Sequence, residues 1–169
     1  MQGEGQAGVT DRIVAFLRGI GLVVTEGPVP DECFLPGVRI HRGTLVFDRQ
    51  RLQWPGDLLH EAGHIAVTPA ALRAALSDAL DMQHEPAHGG EAEATAWAYA
   101  ACMKMGLDAA VLFHPGGYHG RAEALIATFS MGVYPGSAGL ARCGMTVAGP
   151  PSDGDAGGRY PDLLHWLRP

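Results

Sequence analysis

LLHEAGHIAV, residues 58–67, holds His60, Glu61 and His64 in the spacing His-Glu-x-x-His, and the same spacing returns in QHEPAHGG as His84, Glu85 and His88. The fold turns on which copy is helical. Two histidines four residues apart lie about 40° apart around an α-helix and one turn along it, so in a helix both imidazoles reach one ion. The first copy has that context. Pro55 suits an opening helical position, and Leu59, Ala62, Ile65 and Ala66 supply a buried face to a helix from about Gly56 to Val67. Its one breaker is Gly63, where a small residue allows close packing. In the second copy Pro86 biases Glu85 away from helical angles and removes a backbone donor, and Gly89-Gly90 end regular structure. His84 and His88 therefore read as loop residues.

Outward from this helix, VRIHRGTLVFD has β-branched and apolar residues on either side of Arg42-Gly43 and reads as a hairpin. LVV at 22–24 predicts a short further strand, and EGPVPDECFLPG, with three prolines, is loop. Residues 1–9 read as a Gly-rich flexible tail, and Thr10 as the N-cap of a helix that carries Ile13, Phe16, Leu17 and Ile20 and ends at Gly19 or Gly21. After Thr68-Pro69 a short helix is expected within 70–80. EAEATAWAYAACMKM, 91–105, is the strongest helical stretch, stopped by Gly106. A short helix within 107–113, a turn at HPGGYHG (114–120), a helix over 121–131 and one turn at 139–142 follow. YPDLLHWLR closes the chain as a short amphipathic helix. The expected class is α+β, with residues 10–169 as a single domain.

Composition agrees with a folded globular chain: of 169 residues, 47% are hydrophobic and 18% charged. A net charge of −6 with only 12 scattered basic residues excludes nucleic-acid binding by phosphate neutralisation. Cys33, Cys102 and Cys143 are odd in number and lack CxxC spacing, so neither a disulfide framework nor a thiolate zinc site is indicated. The apolar run from Ile13 to Val24 contains Arg18 and is too short to span a bilayer. The expectation is a cytoplasmic protein without membrane partners.

A helical His60-Glu61-His64 set supplies two imidazoles to a Zn2+ ion and places Glu61 beside it as a base for water. A catalytic zinc needs a third protein ligand. A metzincin would continue with Gly at position 67 and His at position 70, where Val67 and Ala70 stand, so that class is excluded. A gluzincin takes a Glu from a later helix, and Glu91 and Glu93 both open the next strong one. Glu91 shares a helical stripe with Ala94, Ala98, Cys102 and Met105, whereas Glu93 lies about 160° away around the helix. Position favours Glu91 as ligand. The imidazoles should in turn donate their other nitrogens to carboxylates or carbonyls. For an oxyanion-stabilising group the candidates are His88, His114, Tyr118 and His119, all in turn-like segments.

FDRQRLQWPGDLLHEAGH followed by EAEATAWA resembles the ImmA/IrrE-type metallopeptidases, in which a β-hairpin feeds an HExxH helix and a later helix carries a motif close to ExxANxFA. Glu91 takes the motif's Glu, Ala94 its Ala, Trp97 its Phe and Ala98 its last Ala, while Thr95 stands for the usual Asn. The resemblance covers roughly residues 38–105. It implies a small zincin-like domain, a three-stranded sheet packed on the HExxH helix, with His60, His64 and Glu91 as zinc ligands and Glu61 as catalytic base. The expected activity is zinc-dependent hydrolysis of a peptide bond in a peptide or protein substrate, a regulatory protein among the candidates. The competing expectation is a non-catalytic zinc-binding regulatory or interaction domain.

Overall fold

The hairpin forms at its expected turn. Strands β2 (Val38–His41) and β3 (Thr44–Phe47) pair antiparallel, Val38 opposite Phe47 and His41 opposite Thr44. Arg42 and Gly43 both hold left-handed backbone, with φ of 50° and 75°, as a two-residue turn that follows strand twist requires. Strand β1 (Val24–Glu26) lies parallel to β3 on its other edge, so the sheet order is β1-β3-β2. This is a computed structural model, and it describes residues 2–77, 90–147, 149 and 158–169. The second His-Glu-x-x-His copy, His84 to His88, lies outside the described residues.

Helix α1 (Gln2–Gly19) starts earlier than the sequence reading places it. Residues 2–9, expected as a tail, are its first turns, and Thr10 is no N-cap. Its hydroxyl instead donates back to the Gln6 carbonyl at 3.0 Å, the i−4 pattern of a residue inside a helix. Val9 packs against the core and extends the apolar face of Ile13, Val14 and Leu17, which offsets the poor propensity of the glycines. The helix ends in a Schellman closure: Gly21 has φ 98°, its N–H bonds Arg18 O, and Leu22 N–H bonds Leu17 O. That closure uses residues 20–22, so β1 begins two residues later than LVV predicts.

Helix α2 (Gly56–Val67) is central and packs on β2, β3, α1, α4 and α5. Leu58, Leu59, Ala62, Ile65 and Ala66 are buried with Leu45, Phe47 and Trp97 in one core. Each large side chain so buried contributes about 1.5–3 kcal/mol. One turn, α3 (Ala70–Arg73), follows, and then α4 (Glu91–Lys104) packs along α2. Helix α5 (Ala109–Leu112) is capped by Asp108, whose Oδ1 accepts from Ala110 N–H at 2.8 Å. A 3-10 turn at Tyr118–Gly120, α6 (Ala122–Ser130) and α7 (Ser137–Arg142) complete the described elements. Among the described residues the architecture is α+β, seven α-helices with a small mixed sheet. No helix among them is long and apolar enough to cross a membrane.

The expected closing helix at 160–168 is absent; that segment is extended and irregular. Its backbone groups are engaged elsewhere. Leu164 N–H bonds Met145 O, Trp166 O accepts from the Trp97 indole N–H at 2.8 Å, and Arg168 N–H bonds Ala66 O. Partners from α2 and α4 replace the internal hydrogen bonds a helix would have supplied.

Candidate metal centre

Two side chains of α2 and one from the first turn of α4 converge. His60 Nε2 and His64 Nε2 lie 3.3 Å apart, Glu91 Oε1 is 3.0 Å from the first and Glu91 Oε2 is 3.2 Å from the second. The imidazole rings stand at 86° to each other, so their nitrogens meet without the rings colliding. Donor atoms held ~2.0–2.2 Å from one ion at tetrahedral angles lie roughly 3.3–3.6 Å apart. The two imidazole nitrogens and the two oxygens of one carboxylate, four atoms in all, make contacts within a few tenths of an ångström of that spacing, and two imidazoles with one carboxylate are a donor set that suits zinc.

The approach of α4 to α2 sets this geometry. A Cβ at Gly63 would stand 2.5 Å from the Ala94 carbonyl oxygen, so only glycine lets the helices come this close. Gly63 precedes His64, and Ala94 lies one turn beyond Glu91. The small residue noted in the sequence thus brings the Glu91 carboxylate to the imidazoles. Glu93 faces the other way: its side chain lies against Gly139 of α7, and Arg142 is 3.7 Å from its carboxylate. The choice of Glu91 over Glu93 therefore follows the geometry, although Glu91 is the more exposed of the two, 55% against 21% for the side chain.

Glu61 also belongs here. One of its carboxylate oxygens lies within 4.8 Å of ligand atoms of both histidines. Two carboxylates therefore flank the pair, and they are not equivalent. Glu91 is at hydrogen-bond distance from both Nε2 atoms.

The charges respond to this crowding. Hydrogen bonds from His60 and then His64 hold the Glu91 carboxyl well below the usual range, against the opposing effect of burial. Burial alone would lower the pKa of His60; Glu91 outweighs it, helped by Glu61 and Asp57, and the net shift is upward. The raised His60 pKa is the signature of a charge-assisted His–Glu hydrogen bond, and a metal at this nitrogen would have to displace its proton.

The expected outer partner of His60 does not appear. His60 Nδ1 is buried without a hydrogen-bond partner among the described residues. Asp57, one turn earlier on α2, is held instead by His114, whose Nε2 donates to Asp57 Oδ1 at 2.8 Å in a nearly dry setting. The His114 ring stacks on Trp54 at 4.7 Å and 8°. This pair was not anticipated from sequence. Its signal is Asp57 one turn before the first histidine, but the partner lies 57 residues on and has no local cue.

The four oxyanion candidates separate. His88 lies outside the described residues, His119 is exposed, and His114 is committed to Asp57. Tyr118 comes to the site: its ring is 5.8 Å from the His60 ring, edge-on, and its hydroxyl is buried without a partner among the described residues. Against known proteins, no family model, curated protein or solved structure matches this chain.

Proposed function

We propose that this chain is a zinc-dependent metallopeptidase of the gluzincin type, related in its site to the ImmA/IrrE-type enzymes. The observation that carries the reading is the triangle of His60 Nε2, His64 Nε2 and one Glu91 carboxylate at 3.0–3.3 Å, with Glu61 beside it. These three residues would hold the ion. When bound it supplies Lewis acidity, lowering the pKa of a water and polarising a carbonyl.

The chain's own residues do the rest. Glu91 supplies the anionic ligand and, at the start of α4, joins two helices around the ion. Glu61 accepts the proton of the attacking water on its carboxylate and delivers it to the departing amine nitrogen, so one group serves as base and then acid. Its place on the same helix turn as His60 keeps it within reach of both events. A purely structural site has no use for such a base and closes its fourth position with protein. The substrate on this reading is a peptide or protein, a regulatory protein among the candidates.

Glu61→Gln tests this directly. The variant should bind one zinc as tightly as the parent, by chelator competition, while casein hydrolysis falls by at least about 10²-fold. His64→Ala and Glu91→Ala should lose zinc and activity together. Undiminished hydrolysis by Glu61→Gln would remove the assignment.

A further inference from the structure

The turn at 116–120 is built against the grain. Tyr118 and His119 both hold left-handed backbone, φ 57° and 52°, and Gly120 continues it at 75°. Two consecutive non-glycine residues in that region cost energy, and such strain persists only where surroundings enforce it. The surroundings are visible. A Cβ on Gly116 would stand 2.4 Å from Trp54 Nε1, and one on Gly117 would stand 3.1 Å from His114 Cε1. The glycine pair therefore lies directly on the stacked Trp54–His114 rings.

His114 is in turn tied to Asp57, three residues before His60 on α2. The helix that carries both metal-binding histidines thereby anchors the turn that carries Tyr118. The phenol ring meets Phe113 at 5.2 Å and His60 at 5.8 Å, both edge-on, which fixes its direction. At its end is a buried hydroxyl with no hydrogen-bond partner among the described residues. A buried O–H left unpaired costs about 1–3 kcal/mol by general experience, so a missing partner is the simplest account of it.

We propose that Tyr118 is a catalytic residue: its hydroxyl donates a hydrogen bond to the oxyanion that forms on the scissile carbonyl, with Asp57 and His114 as the positioning pair. The inference rests on the metallopeptidase reading above. A phenol O–H donates a hydrogen bond without giving up its proton. A donor whose ring is already fixed by its neighbours costs little reorganisation at the moment of reaction, the arrangement in which such a bond counts most.

The test uses the zinc-loaded full chain and Tyr118→Phe, which keeps the ring and removes only the hydroxyl. Two probes are compared by calorimetry: N-phosphoryl-leucyl-alanine, whose tetrahedral oxygens resemble the intermediate, and N-mercaptoacetyl-leucyl-alanine, which presents sulfur and no such oxygen. Tyr118→Phe should weaken the phosphoryl probe at least about tenfold and the thiol less than about twofold, with zinc affinity and melting unchanged. Casein turnover should fall about 10²-fold in kcat with little change in KM. Equal effects on both probes, or none, would overturn the role of Tyr118 while leaving the site reading intact. If the parent protein binds neither probe and leaves casein uncut, the metallopeptidase reading itself fails and the role of Tyr118 goes with it.

Discussion

A methyl group at Gly63 would meet backbone on α4: the Ala94 carbonyl oxygen at 2.5 Å and the Ala94 carbonyl carbon and Cα at 3.1 and 3.2 Å. No flexible side chain can yield there, so the helices must separate. Gly63→Ala should cost about 1–3 kcal/mol in urea denaturation. Because the separation moves Glu91 away from the imidazoles, zinc affinity should also fall, by about tenfold in chelator competition. Gly19→Ala is the control. It has nothing within 4 Å and no left-handed backbone, so it should be neutral or stabilising by up to about 1 kcal/mol. If the two substitutions behave alike, the close approach at Gly63 is not what aligns the site. The convergence of His60, His64 and Glu91 was legible because each position is set by local periodicity, the turn of one helix or the stripe of another. The Asp57–His114 pair and the approach of Tyr118 to His60 were not, because they depend on a loop folding back across some 57 residues of chain.

At the scale of elements, the same contrast separates what local chemistry decides from what packing decides. The hairpin, α2, α4 and α6 carry their own signals: a two-residue turn with glycine, a proline at a helix start, glycines at helix ends. The segment 160–168 carries an equally good helical pattern and is not a helix, since its hydrogen-bond partners come from α2, α4 and Met145. Trp166 is the wedge of this segment, edge-on to Phe16 of α1 at 5.0 Å and to Trp97 of α4 at 5.8 Å. Arg168 adds its backbone N–H to Ala66 O and its guanidinium to Val67 O, carbonyls at the end of α2 that have no partner within the helix. The segment thus closes α2 at its C-terminus. Trp166→Ala should destabilise by about 2 kcal/mol, less than a fully buried tryptophan, because the ring is only half-buried. Amide exchange should rise in α2's last turn and in 164–168 together, as read by mass spectrometry. Protection lost only in the segment itself would show that α2 does not depend on it.

For the whole molecule, a metal held as proposed would join parts of the chain that are distant in sequence. His60 and His64 sit on the central helix, whereas Glu91 opens a helix that returns to it from beyond residue 90. In the unfolded chain those donors are separated, so an ion bound by them would favour the native state and add stability as RT ln(1 + [L]/Kd). At a free zinc concentration of 100 times Kd this amounts to about 2.7 kcal/mol. For a chain of this size that corresponds to a melting temperature higher by roughly 5–10 °C. Glu61→Gln should show the full rise, since Glu61 flanks the triangle without closing it. Glu91→Ala should melt near the metal-free parent and gain little from zinc, because only two imidazoles of the set remain. Scans of the three proteins with zinc and with chelator separate these effects. A parent protein whose melting temperature ignores zinc would mean that the triangle is only a hydrogen-bonded His–Glu–His cluster. A Glu91→Ala variant stabilised as fully as the parent would place the third ligand elsewhere.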